Sequence, residues 1–205
     1  MQKLYLGIAD SLLMRMFGRP KGVLGRLGGI ILAHTKHDFT QRVIHLLDVQ
    51  PQDKVLEVGF GPGVGIQMLA GAASRGLIAG IDVSKEMVAQ ATSRNAKAIK
   101  AGLVQLQHGS VEQLPFSDRT FDKALTINSM QVWFDVMMAG LQEIRRVLKA
   151  GGKIALGFTP QSRQSKVGLL ETLELAGFTE ITFVETQQGF CVLAKKSWEE
   201  TQSCF

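Results

Sequence analysis

The chain has 205 residues, 45% hydrophobic and 20% charged, which suits one domain with a full core and excludes a disordered chain. Its net charge of +5 is modest and no five basic residues run together, so nothing in the composition marks a nucleic-acid binder. Cys191 and Cys204 have neither disulfide nor metal spacing, which points to a reducing, cytoplasmic compartment.

Leu4, Ile8, Leu12 and Met16 recur every four residues and predict an amphipathic helix. Asp10 and Arg15 interrupt this run, which argues against a signal peptide. No segment reaches the roughly eighteen apolar residues of a spanning helix. A second apolar stripe follows at Val23, Leu27, Ile30 and Ile31, and a third helix carries Phe39, Val43, Leu46 and Leu47. Pro51 and Asp53 mark a turn. Val55, Leu56 and Val58 then form a buried strand that breaks into Gly59, Gly61, Gly63 and Gly65. A helix from about Val64 offers Ile66, Met68 and Leu69 to the sheet.

From there strand and helix alternate. The second strand covers 77–83, with Asp82 near its end and Ser84 as the N-cap of one helix through Met87, Val88, Ala91, Ala98 and Ile99. Strands are expected at 104–108, 123–127 and 153–158, with a helix from Trp133 to Leu148 before the last of these. A helix over 167–176 precedes an antiparallel hairpin of 180–184 and 189–194. Residues 197–205 show no periodicity and are expected to be a disordered tail. The pattern predicts an α/β fold, a parallel sheet with helices on both faces.

Glycine spacing separates two nucleotide-binding readings. A dinucleotide fingerprint G-x-G-x-x-G would require glycine at Val64 or Ile66, and neither position has it. The G-x-G-x-G run, with Glu57 two residues ahead, resembles motif I of the class I S-adenosylmethionine-dependent methyltransferases. Further matches are Gly80-Ile-Asp-Val-Ser, Leu114-Pro-Phe-Ser-Asp-Arg-Thr-Phe-Asp and Arg145-Arg-Val-Leu-Lys-Ala-Gly-Gly-Lys. The resemblance covers roughly residues 41–196, and the matches together resemble the branch of the ubiquinone and menaquinone biosynthesis methyltransferases. The resemblance implies a Rossmann-like, seven-stranded, mostly parallel sheet closed by an antiparallel C-terminal hairpin.

It also implies a cofactor, S-adenosylmethionine, and a set of residues around it. Asp82 would take the ribose hydroxyls, although a helix-start acid is the plainer alternative. Glu57 would organise the amino-acid end, or serve as a structural carboxylate. Gly59 would offer its carbonyl to the cofactor amine, with Phe60, Gly61 and Gly63 completing the turn and Val83 beside Asp82. Ser110 stands where relatives usually carry Asp for the adenine amine, and Val111 would offer its backbone amide to the ring. Asn128 and Ser129 end the fourth strand and are expected to border the methyl, and Asn128 would orient a substrate heteroatom or cap a helix.

Methyl displacement from a sulfonium needs alignment more than a covalent catalyst. His34 and His37 are the weak acid–base candidates, and solvated or capping histidines are the simpler reading. No residues have metal-ligand spacing. The acceptor is expected to be a small molecule, met under a helical cap formed by residues 1–40. Lys3, Arg15, Arg19, Lys21 and Arg26 among the hydrophobes there suggest an apolar or lipid-like acceptor and weak membrane-surface contact. The rival readings are a cofactor-binding module without catalysis and a nicotinamide oxidoreductase.

Overall fold

The structure, a computed structural model, describes residues 37–130 and 136–198. The expected helices before His37, together with His34, Trp133 and Cys204, lie outside the described residues. In chain order the elements are α1 (His37–Leu46), β1 (Lys54–Val58), α2 (Val64–Ala72), β2 (Leu77–Asp82), α3 (Lys85–Arg94), α4 (Ala96–Lys100) and β3 (Val104–His108). They continue with β4 (Phe121–Ile127), α5 (Met137–Val147), β5 (Leu148–Phe158), α6 (Leu169–Leu175), β6 (Phe178–Thr186) and β7 (Gly189–Lys196).

The sheet runs β3-β2-β1-β4-β5-β7-β6. Strands β1 to β5 pair in parallel, and β7 joins antiparallel to β5 with β6 outside it. Period-two alternation splits the core between the two faces of the sheet. Leu56 and Val58 share one face with residues of α5 and α6, including Leu141, Ile144, Leu169 and Leu173. Val55 and Ile78 share the other with Phe39, Val43, Ile66, Leu69 and Ala91 of α1, α2 and α3. The chain is therefore a seven-stranded α/β protein with helices on both faces, as its pattern predicts.

Three details differ from the sequence expectation. Strands β4 and β5 begin earlier, at Phe121 and Leu148, because both pair below their apolar centres. The single helix expected after Ser84 is two helices, α3 and α4, divided at Asn95. Asn95 is buried, and its amide donates to the Gly63 carbonyl (3.1 Å) and the Ala91 carbonyl (2.9 Å). A side chain that bonds backbone in this way competes with helix propagation. The hairpin strands are also longer than expected, β6 spanning Phe178–Thr186.

Helix α1 fixes where the chain enters the site. A Cβ placed on Gly157, near the end of β5, would lie 3.0 Å from Phe39 and 3.0 Å from Val43. At the other end of the helix, the buried Lys123 amine at the base of β4 donates to the Leu47 carbonyl (3.1 Å) and to that of Asp48. A cation at a helix C-terminus complements the unpaired carbonyls there. Helix α1 thus runs antiparallel to β4 and β5, with its first turn at the carboxyl edge of the sheet. The helix straddles residue 40, and Phe39 and Thr40 are both buried.

Arg146 of α5 fastens the 114–118 loop that leads into β4. Its guanidinium donates to the Leu114 carbonyl (3.0 Å), the Phe116 carbonyl (2.8 Å), Asp118 (2.7 Å) and both oxygens of Glu143 (2.7 and 2.8 Å). All five of its N–H groups are used. Glu143 also accepts from the Leu114 amide at 2.8 Å, and its hydrogen bond to Arg146 holds its carboxyl below the usual glutamate range. Replacing Arg146 by Ala should cost roughly 2–3 kcal/mol of unfolding free energy in urea titrations, chiefly through the stranded carbonyls and Glu143. A carboxylate with a depressed folded pKa stabilises above its unfolded pKa and loses that contribution as pH falls through the folded value. The acid limb of the wild-type stability curve should therefore be steeper than that of Arg146→Ala.

Candidate active site

The glycine run and the end of β2 form one hydrogen-bonded unit. Strand β1 ends at Val58, and the Gly59 amide donates to the Ile81 carbonyl at 2.8 Å. The turn then brings the Gly61 amide to Asp82 Oδ2 at 2.9 Å, while the Ser84 amide donates to Asp82 Oδ1 at 2.8 Å. Burial pushes the Asp82 carboxyl above the ordinary aspartate value. The amides of Ser84 and Gly61 and the nearby His108 pull it back down. Each oxygen keeps acceptor capacity beyond its one amide. Ser84 caps α3, as its position predicts, its hydroxyl accepting from the Met87 amide at 3.4 Å.

The glycines of this run do different things. Gly61 has φ +55°, and a Cβ placed on it would meet nothing within 4 Å. Its missing side chain leaves an open approach to the turn. Gly63 has φ +82°, and a Cβ there would lie 2.7 Å from Ala91 Cβ and 2.7 Å from Asn95 Nδ2. Its missing side chain therefore accommodates α3. A Cβ on Gly65 would come 2.3 Å from Glu57 Oε1, so α2 leaves a gap for that carboxylate. Glu57 is buried on β1 behind the turn. Phe60 is buried as well, with its ring where a Gly80 side chain would otherwise stand. Its side chain belongs to the core, and its backbone to the turn.

On the other flank, Val83 follows Asp82 and is 51% exposed. Its carbonyl lies 3.1 Å from the His108 Nε2. Ser110, just past β3, donates its hydroxyl to Glu112 Oε2 at 2.9 Å. A carboxylate thus stands two residues beyond the position where relatives usually carry one. Sequence reasoning missed Glu112, although the Ser-x-Glu spacing was its signal. The Val111 side chain is buried against Gly140 of α5, where a Cβ would approach it to 2.8 Å.

At the end of β4, Asn128 holds φ +55°, a left-handed conformation that asparagine tolerates better than most residues. Its side chain joins Thr159 at the end of β5, accepting from the Thr159 amide (2.8 Å) and donating to the Thr159 hydroxyl (2.8 Å). The next residue, Ser129, donates to the Gly59 carbonyl at 3.1 Å. The ends of β1, β4 and β5 are therefore tied side by side at the carboxyl edge, where doubly wound sheets hold ligands. Ser129 was expected at this edge beside Asn128; Thr159 was not, because the contact that places it spans 31 positions of sequence. His37 is exposed at the start of α1, with Nδ1 3.4 Å from Asp38 Oδ1, and touches none of this group. Among the described residues no set of three or more His, Cys, Asp and Glu is arranged to hold a metal.

Residues 55–152 match the family described as Methyltransferase domain. A Bacillus subtilis protein named uncharacterized methyltransferase YdaC is 30% identical over 182 residues, spanning 83% of this chain and 98% of its own. Demethylmenaquinone methyltransferase of Bacillus cereus is 31% identical over 126 residues, which are 60% of this chain and 52% of its own. A solved SAM-dependent methyltransferase from Aquifex aeolicus shares the fold, with a TM-score of 0.73 at 22% identity over 82% of this chain and 96% of that one.

The two central glycines should separate on mutation. Gly63→Ala should destabilise the unliganded protein by roughly 2 kcal/mol or more, since left-handed strain and a clash with α3 act together. Gly61→Ala should cost only the strain, about 1 kcal/mol, while placing a methyl group in the open approach. Thermal melts of the two variants without ligand test this contrast.

Proposed function

This chain belongs to the class I S-adenosylmethionine-dependent methyltransferases, and from that premise we propose that it methylates a small, apolar, lipid-like acceptor at the carboxyl edge of its sheet. The observation that carries the reading is the buried Asp82 carboxylate, held by the Gly61 and Ser84 amides next to the open face of Gly61. In this reading both Asp82 oxygens accept ribose hydroxyls with their remaining lone pairs. Val83 lies against the adenine, Ser110 and Glu112 take its exocyclic amine, and the Val111 amide faces the ring. Glu57 and the second lone pair of the Gly59 carbonyl serve the amino-acid end, with Phe60 and Gly63 shaping the turn through backbone and packing. When bound, the cofactor supplies an electrophilic methyl whose departure leaves the carbon–sulfur electron pair on a neutral thioether. The residues here bind, orient and exclude water, and a nucleophile's proton, where it has one, passes to solvent.

Four observations support an apolar acceptor. The first turn of α1 lies at the carboxyl edge, and in this reading the chain preceding His37 caps the site. That chain interleaves Leu4, Ile8, Leu12 and Met16 with Lys3, Arg15, Arg19, Lys21 and Arg26, a composition suited to a cap that meets a membrane surface. The connection from β5 to α6, residues 159–168, holds only the single 3-10 turn Pro160–Ser162, leaving little room for another lid. One similar protein is also named for the acceptor demethylmenaquinone. No described helix is long and apolar enough to cross a membrane, and in this reading the enzyme works from the cytoplasm at the surface of one.

Calorimetry should show binding of S-adenosylhomocysteine and none of NADH; the opposite preference would return the chain to the nicotinamide reading. Asp82→Asn should lose about 1.5–3 kcal/mol of that affinity, the range for a hydrogen bond to a charged group. Ribose hydroxyls favour the ionised carboxylate, whose pKa burial raises. Wild-type affinity should therefore fall on acidification at a higher pH than an exposed aspartate would dictate, and Asp82→Asn should flatten the profile.

The acceptor is tested by methyl transfer to long-chain hydroquinones in anionic vesicles and to their short-chain, water-soluble analogues. The long-chain substrates should turn over faster. Removing residues 1–19 should leave cofactor affinity nearly intact while cutting turnover about a hundredfold, the cost of a misplaced reacting group. Binding without turnover of any acceptor in the intact protein would favour a non-catalytic module.

A further inference from the structure

The hydrogen bonds around Thr159 have a forced direction. A backbone N–H only donates, so the Asn128 oxygen must face the Thr159 amide (2.8 Å). The Asn128 NH2 group must then face the Thr159 hydroxyl, which accepts from it at 2.8 Å. The Thr159 carbonyl is occupied by the Ser162 amide (2.9 Å) and the Ser162 hydroxyl (2.7 Å). Two polar hydrogens remain, the second on Asn128 Nδ2 and that of the Thr159 hydroxyl, and among the described residues no acceptor takes the hydroxyl's. Thr159 is 8% exposed, so the residue is largely removed from water. A nearly buried donor left unmatched is costly, which makes it a recognition feature for whatever completes it.

Its position decides what that partner is. Thr159 follows β5 at the carboxyl edge, one hydrogen bond from Asn128 and, through the adjoining Ser129, next to the Gly59 carbonyl of the glycine turn. Resting on the methyltransferase reading above, we infer that the Thr159 hydroxyl donates to an unprotonated oxygen of the acceptor, a carbonyl or a deprotonated ring hydroxyl, with Asn128 as the positioning residue that sets its polarity. An unprotonated oxygen, above all a charged one, is a stronger acceptor for that hydrogen than an alcohol oxygen. The oxygen held there is distinct from the methylated atom, because a donor on the nucleophile would withdraw the electrons it needs. It is a neighbouring oxygen that orients the ring.

The probe is 4-nitrophenolate, whose absorption band moves to shorter wavelength when its oxygen accepts a hydrogen bond. It is titrated into protein saturated with S-adenosylhomocysteine. Bound to wild type or Thr159→Ser, its band should lie at shorter wavelength than in an aprotic solvent, water itself being a donor that already shifts it, and bound to Thr159→Val it should not. Asn128→Asp is the sharper variant. A carboxylate there accepts from both the Thr159 amide and the Thr159 hydroxyl, preserving the tie between β4 and β5 while turning the hydroxyl hydrogen inward. The shift should vanish and probe affinity should drop at least tenfold. Calorimetry with S-adenosylhomocysteine on the same variants reports folding and the cofactor site separately. Failure of that binding in the wild type would overturn the methyltransferase reading itself. Intact cofactor binding with no shift in wild type, or with a shift surviving in Thr159→Val or Asn128→Asp, would overturn the role of Thr159 alone.

Discussion

Two backbone amides from different crossovers converge on the Asp82 carboxylate, that of Gly61 in the turn after β1 and that of Ser84 at the start of α3. Two otherwise separate loops become one rigid surface. The arrangement depends on parallel register, since Gly59 reaches the Ile81 carbonyl only because Val58 lies opposite Ile81. It also depends on Gly63, which lets the turn descend onto α3, and on Asn95, which donates to the Gly63 carbonyl from the far end of that helix. Burial opposes the charge on Asp82 and the amides compensate it, so the carboxylate is preorganised at a cost that other parts of the fold bear.

The same logic extends across the sheet. Ser129 on the Gly59 carbonyl and Asn128 on Thr159 join the ends of β1, β4 and β5, while Arg146 fastens the loop that feeds β4. One cross-link lies at the carboxyl edge and the other on the flank of the sheet. A site assembled from strand ends needs such ties, because a displacement of about an ångström at reacting groups is expensive.

Much of this was visible in local pattern. The strand run ending in alternating glycines, Glu57 ahead of them, Asp82 ahead of the Ser84 cap, and the alternation of helix and strand are all short-range signals. They reflect constraints acting within one element or one turn, namely period-two burial, capping and the need for backbone without side chains. The family followed from the same short motifs, and the resemblance of residues 41–196 is matched by relatives spanning most of the chain.

Sequence alone therefore determined the fold class, the methyltransferase family and the neighbourhood of the glycine turn. Tertiary structure decided how each residue packs and bonds there. Gly63 looked like a ligand-facing glycine and is a packing contact for Ala91 and Asn95. Phe60 looked like part of a binding turn and its ring is core. Glu112 stands beside Ser110, and Thr159 became visible only through Asn128. The placement of β7 between β5 and β6 belongs with these. The physical reason is common to them: contacts across tens of residues depend on strand register, helix docking and the directionality of hydrogen bonds, none of which leaves a period in the chain.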